Sequence, residues 1–317
     1  MVSMTVPQPI FILAPPRSFT SLSCAMLGQH PEVYGVPELH LFDFETLQIM
    51  LQQVQGKPRK VHGLLRTVAQ LYSGEQTVLS IHMAQRWILN RLHCNTGEVY
   101  QELCKKAQPL RIVDKSPSYS LDIQRLYQIQ KTFPGAHFLH LIRHPRPHGE
   151  SLMKIVPMIR QVRGLKNSLG GSNKSILRHC INYSTDGPII DFQFIWYRTH
   201  KKILDFLSTV PPEQQLRLRG EDLLSEPHQY FEKICHWLNL SWNESVIEAI
   251  LHPEDSPFAC FGPFGAQFGN DTNFLQSPAL RQTNIKPSTL QGSLPWRKDE
   301  GEFIPAVVKL AQELGYN

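Results

Sequence analysis

Four short apolar runs punctuate the chain at wide intervals: Ile10 to Leu13, Leu110 to Val113, His137 to Ile142, and Leu216 to Leu218 with its flanks. Each is rich in the β-branched or aromatic residues of a buried strand, and each is followed by polar residues and then by apolar positions at helical spacing. That alternation predicts an α/β fold, a central parallel sheet flanked by helices, with ligands at the carboxyl ends of the strands. A further short strand is expected over Val33 to Val36. Between the first two of the four runs lies an insertion at about residues 38–108, whose apolar spacing (Leu47, Met50, Leu51; Ile81, Trp87, Leu89, Leu92) predicts several helices forming a cap. Residues 164–174, GLKNSLGGSNK, read as a mobile loop. Residues 258–296 carry many Gly, Pro, Asn and Phe without a clear period, and Ala306 to Leu314 is a helical pattern ended by Gly315. With no repeat and no dividing linker, residues 1–317 are expected to form a single domain.

Composition narrows the class. At 317 residues, with 41% hydrophobic and 19% charged, the chain can bury a sizeable core. No apolar run approaches the roughly 20 residues needed to span a bilayer, and the N-terminus lacks the regions of a signal peptide. A cytoplasmic location without a membrane span is therefore expected. The six cysteines are widely spaced with no C-x-x-C pair, so they read as free thiols rather than a disulfide frame or zinc site. The net charge of +5 favours anionic partners, yet the basic residues form no block or aromatic-interleaved stripe suited to nucleic acid. A small anionic ligand fits better.

The first turn holds the densest candidate chemistry. Residues 14–22, APPRSFTSL, follow the first strand and open a helix. A helix N-terminus leaves unpaired N–H groups at the positive end of the macrodipole, which is an anion site. Arg17 adds a permanent forked cation, and Ser18, Thr20 and Ser21 add hydroxyl donors suited to phosphate or sulfate oxygens. The same residues also fit a plain helix start, capped by Ser18 or Thr20 beside a surface arginine. The G-x-x-x-x-G-K-[ST] loop of nucleoside triphosphate hydrolases is absent.

The stretch P-R-S-x-T-S-L resembles the 5′-phosphosulfate-binding loop of the sulfotransferase family, whose enzymes move a sulfuryl group from 3′-phosphoadenosine 5′-phosphosulfate (PAPS) to an acceptor. The resemblance implies the P-loop-like sulfotransferase fold and a cofactor loop of Arg17, Ser18, Phe19, Thr20, Ser21 and Leu22. The family usually has Gly where this chain has Phe19. A phenylalanine at positive φ would be strained, so the expectation is either an ordinary loop conformation or a coincidental motif. A second motif agrees. Strand HFLHLIR runs into HPRPHGES, giving Arg143 and, eight residues later, Ser151, the family's 3′-phosphate signature, with Pro145 suited to a first helical turn. A third, VDKSPSYSLD, places Lys115 after the second run, where the family lines its reaction centre; a lysine aimed at the oxygen bridging sulfur and phosphate stabilises charge developing there.

The histidine base of many cytosolic sulfotransferases has no counterpart after Lys115, where Pro117, Ser118 and Tyr119 stand. Glu38, in HPEVYGVPEL, resembles instead the glutamate base of tyrosylprotein and several bacterial sulfotransferases. A partly dry setting is expected to raise its pKa toward working pH. Glu38 and Lys115 are thus the implied catalytic pair, supported by Arg17, with no metal and with His40, His82 and His252 as candidate helpers. In LRLRGEDLLSEP, Glu221, Asp222 and Leu223 match a family segment with a structural role, with Gly220 in place of its aromatic. The late loop through LPWRK resembles the region closing over the adenosine, which implies Arg297 and Lys298 toward the 3′-phosphate and Trp296 or Phe274 as either an adenine platform or core. The P-E-L-H-L, D-K-S-P-S-Y and L-A-Q-E-L-G-Y pieces resemble sulfotransferase domains of bacterial polyketide and olefin synthases, which sulfate a β-hydroxyacyl chain on a carrier protein. The alternatives are a nucleotide-binding phosphotransferase, which would need magnesium and a Walker lysine, or a catalytically inactive nucleotide-binding or interaction protein of the same fold.

Overall fold

The computed structural model of the chain describes residues 6–55, 59–162, 178–182, 189–281, 288–297 and 299–317, with backbone alone at 155–162. The loop expected over residues 164–174 lies outside the described residues. The predicted strands all form: β1 (Ile10–Leu13), β2 (Val33–Gly35), β3 (Arg111–Asp114), β4 (His137–Ile142) and, after a two-residue antiparallel pair β5 (Ile181–Asn182) and β6 (Ile189–Ile190), β7 (Gln215–Arg219). They build a five-stranded sheet in the order β2-β3-β1-β4-β7 with every pairing parallel.

β1 is central because it is apolar on both faces, and its four residues are essentially inaccessible. Alternation sends Phe11 and Leu13 to one face and Ile10 and Ile12 to the other. On the first face Phe11 packs among Phe42, Tyr100, Phe133 and Phe138, with ring centroids 5.5–6.4 Å from its own. The same cluster takes the apolar sides of α2 (Leu47–Gln53), α3 (Arg59–Ser73), α4 (Val78–Leu89) and α5 (Thr96–Ala107), so the expected helical insertion also closes this side of the sheet. On the second face α1 (Thr20–Leu27) packs with residues 231–250 from the carboxyl-terminal half. The connections α6 (Ile123–Thr132), α7 (Pro145–Val162) and α8 (Gln193–Leu207) complete the alternation. The final helix, α9 here (Pro305–Glu313), ends before Gly315 at φ 88°, as its pattern predicts. Cys24, Cys94, Cys104, Cys235 and Cys260 are free thiols, and among the described residues no helix is long and apolar enough to cross a membrane.

Parallel strands end at one edge. After β1 the chain crosses to the β2-β3 side and later returns to the β4-β7 side, so the ends of β1, β3 and β4 border the crevice where strand order reverses. The end of β2 reaches the same edge through Val36, whose N–H donates to Val113 O at 3.1 Å. Glu38, just beyond, is fixed by its N–H bonding Gly269 O at 2.8 Å and by α3 crossing directly on it. A Cβ on Gly63 would stand 2.0 Å from Glu38 O, so only glycine permits that crossing. Gly63→Ala should therefore cost about 1–3 kcal/mol from overpacking and lower Tm by several degrees, measured by calorimetry. An unchanged Tm would contradict the close approach.

Candidate active site

The loop after β1 folds so that its carbonyls turn away from the crevice. Pro16 O accepts a hydrogen bond from His148 Nε2 at 3.0 Å, and Arg17 O accepts one from Arg143 Nη1 at 2.5 Å. Phe19 O accepts the first bond of α1, from Ser23 N at 3.0 Å. The amides of Thr20, Ser21 and Leu22 precede that bond, and no side chain caps the helix. The capped-helix alternative thus fails, because the N-cap residue is Phe19, which has no acceptor. Arg17 and Phe19 both lie at positive φ, 74° and 62°, on either side of Ser18. Backbone of this kind gathers N–H groups into an anion-binding nest. Ser18 is fully buried and its Oγ has no partner among the described residues.

The ordinary loop conformation expected for Phe19 does not hold. Its backbone is left-handed, as a glycine's would be, at a cost of about 1–2 kcal/mol for a side chain. Packing of its ring against Arg143 and Gly220 opposes that cost: the Arg143 guanidinium carbon lies 4.2 Å from the ring centroid, and the ring fills the space that a side chain on Gly220 would take.

The β4 end brings Arg143 and Ser151 to this loop, as the spacing predicts. Ser151 Oγ accepts from Arg17 Nε at 3.2 Å. Burial pushes the Arg143 guanidinium down to about 10, with Glu221 opposing that shift, so it stays cationic at neutral pH. Its Nε is buried without a partner among the described residues, while Trp196 Nε1 anchors its carbonyl at 2.7 Å. Glu221 serves the structural role expected of its segment, accepting from His144 N at 2.8 Å and from the Tyr316 hydroxyl at 2.9 Å.

Lys115, at the β3 end, bridges the loop and the acidic side. Its Nζ donates to Ser21 Oγ at 2.8 Å and to Glu38 Oε1 at 2.6 Å. Glu38 Oε2 lies 3.2 Å from His40 Nε2, and His40 Nδ1 lies 2.9 Å from Ser118 Oγ and 3.3 Å from Asp43 Oδ2. Asp43 in turn pairs with Lys60 and Arg125. The expected upward shift of Glu38 is corrected by this surrounding. Burial does push its carboxyl up, but the Lys115 charge and the His40 contact outweigh it and hold the group at about 2. Burial opposes charge on His40 as well, yet its bonds to Asp43 and Glu38 raise it to about 9.

Other candidates fall elsewhere. The Arg297 donors are engaged by Asp191, at 2.7 Å, and by Asp299, so the structure assigns them to carboxylates rather than leaving them open to an anion. Lys298 lies outside the described residues. The Trp296 ring lies against Gly149 of α7, its Nε1 bonds Asp191 Oδ1 at 2.8 Å, and Phe274 is buried against Ala25 and Ala259, so both are packed as core. His82 and His252 are exposed, and His252 pairs with Glu248 and Glu254. Three contributors carry no sequence signal: Asp271, whose carboxylate pairs with Arg17 Nη1; His148, whose ring turns Pro16 O; and Trp196. Only the three-dimensional return of distant segments makes them neighbours.

Three cations and an uncapped helix thus face one crevice, with a carboxylate beside the lysine. Solved structures of similar architecture include the sulfotransferase domain from the curacin biosynthetic pathway, at 25% identity and a TM-score of 0.75, covering 98% of both chains. The sulfotransferase domain of the Synechococcus PCC 7002 olefin synthase aligns at 25% identity and a TM-score of 0.70, covering 98% of this chain and 96% of that one. In sequence, the protein-tyrosine sulfotransferase of Drosophila melanogaster is 22% identical over 290 residues, 90% of this chain and 46% of that protein, so the chain spans about half the length of this relative. The profile of the sulfotransferase family matches residues 9–244, a span that includes the Arg17 loop, Glu38, Lys115, Arg143 and Ser151, and the chain belongs to that family.

Proposed function

We propose that the chain transfers the sulfuryl group of PAPS to an acceptor hydroxyl, and that the acceptor is a β-hydroxyacyl chain carried on a carrier protein. The observation that carries the reading is a pair of buried donors without a partner among the described residues, Ser18 Oγ and Arg143 Nε, together with an uncapped helix N-terminus. Unpaired buried donors are costly in a folded protein and fit a ligand that supplies acceptors. The donor set matches two anionic groups. Arg17, Ser18 and the Phe19 to Leu22 amides suit the 5′ end, and Arg143 with Ser151 suits the 3′-phosphate. The free thiols fit a reducing, cytoplasmic setting. The carrier-bound acceptor is favoured by likeness to the curacin and olefin synthase domains over nearly the whole chain.

PAPS supplies an activated sulfuryl group whose departure leaves charge on a phosphate oxygen. Glu38 takes the proton from the acceptor oxygen, and its ionised state at neutral pH keeps it ready to accept. Lys115 neutralises charge at the leaving oxygen. One ammonium serves both sites, so as Lys115 turns toward that oxygen its hold on Glu38 weakens and the carboxylate becomes more basic. His40 orients the carboxylate through Oε2.

Incubation with PAPS and a 3-hydroxyacyl carrier protein should yield an acyl chain heavier by one sulfuryl group, read by mass spectrometry, with a free hydroxy acid and a tyrosyl peptide reacting far more slowly. Equal turnover of the tyrosyl peptide would redirect the acceptor, and no transfer to any hydroxyl would refute the activity. Glu38→Gln should lower kcat by about 10²–10⁴-fold while the dissociation constant for 3′-phosphoadenosine 5′-phosphate (PAP) stays near that of the parent. A parent-like kcat would remove Glu38 as the base. In His40→Gln the carboxylate loses a cationic partner, so its pKa rises and the acid limb of the kcat/KM profile should move to higher pH. An unmoved limb would show that His40 does not act on Glu38.

A further inference from the structure

Two positions at which the chain departs from the family pattern, Phe19 and Gly220, meet in space. A Cβ built on Gly220 would stand 2.6 Å from Phe19 Cδ2 and 3.4 Å from Cε2, so the aromatic ring occupies the volume that a side chain at 220 would need. The same ring carries Arg143, whose guanidinium carbon lies 4.2 Å from its centroid. We infer that Phe19 is a positioning residue for Arg143, its ring supplying from the loop the surface on which the guanidinium lies, and that Gly220 is required to leave room for it.

The arrangement makes physical sense of the strained backbone. Among the described residues the Arg143 guanidinium donates one hydrogen bond, Nη1 to Arg17 O at 2.5 Å, and that bond alone leaves the guanidinium free to pivot. A ring beneath it fixes the plane through cation–π contact and keeps Nε free of the protein. The left-handed φ of 62° is what directs the Phe19 side chain away from α1 and toward the β4 end, while its carbonyl still starts the helix. A glycine would take the same backbone without strain and would leave Arg143 unsupported.

This inference rests on the 3′-phosphate role of Arg143, so the test separates the two. PAP and adenosine 5′-monophosphate, which lacks the 3′-phosphate, are titrated by calorimetry into the parent, Phe19→Gly, Gly220→Ala and the double variant. Phe19→Gly relieves backbone strain, so Tm is followed alongside to confirm folding. Phe19→Gly should weaken PAP about tenfold and leave the monophosphate unchanged. Gly220→Ala, which crowds the ring, should also weaken PAP alone, and the double variant should be no weaker than Phe19→Gly, because the crowded ring is already gone. Parent-like PAP affinity in a folded Phe19→Gly protein, an equal loss for both nucleotides, or additive losses in the double variant would each overturn the positioning role. A parent protein that binds the two nucleotides equally would instead refute the 3′-phosphate assignment itself, and the inference with it.

Discussion

The hydrogen bond from Arg143 Nη1 to the carbonyl of Arg17 ties the end of β4 to the loop after β1, and the crevice depends on it. It joins residues 126 positions apart and turns a loop carbonyl out of the site, which leaves N–H groups as the loop's inward face. It also commits one end of the Arg143 guanidinium to protein, while Nε has no partner among the described residues. Around this tie the remaining supports converge. His148 turns the neighbouring carbonyl of Pro16, Trp196 anchors the carbonyl of Arg143, and the Phe19 ring lies against the guanidinium.

Gathering Arg17, Lys115 and Arg143 at one edge carries an electrostatic cost that the fold meets with internal counter-ions. Asp271 pairs with Arg17 and Glu38 pairs with Lys115, while Glu221 lies in the field of Arg143. In the proposed function, a bound dianion would exchange with Asp271 for the Arg17 guanidinium, and Lys115 would leave Glu38 only as charge develops on the departing oxygen. The network of Glu38, His40 and Asp43, with Lys60 and Arg125 outside it, holds the carboxylate in one orientation during that exchange. The 3.6-residue period of α3 matters here as well, because it brings Gly63 to the one point where a side chain would displace Glu38.

Much of the fold was legible in the chain. β1 and β4 were read at the bounds they adopt, since a short apolar run with no polar face has few places to go except the centre of a parallel sheet. Arg17, Lys115, Arg143 and Ser151 were legible because each follows a strand at a motif spacing, and parallel strands deliver such residues to one edge. What escaped was tertiary. Nothing near Asp271 in sequence announces Arg17, and the proximity of Gly220 to Phe19 depends on the pairing of β7 with β4. The pKa of Glu38 was misjudged for a similar reason: dryness was foreseeable from its place beyond β2, but the lysine and imidazolium that outweigh it come from contacts made only in the fold. Arg297 looked available because Asp191, over a hundred residues earlier, was not visible as its partner.

A crystal structure with PAP bound would show whether the buried donors of the crevice meet the two phosphates. The 5′-phosphate should lie against the Arg17 to Leu22 amides with Ser18 Oγ within hydrogen-bond distance, and the 3′-phosphate should accept from Arg143 Nε and Ser151 Oγ. PAP bound elsewhere, or bound here with Ser18 Oγ and Arg143 Nε still unpartnered, would contradict the account.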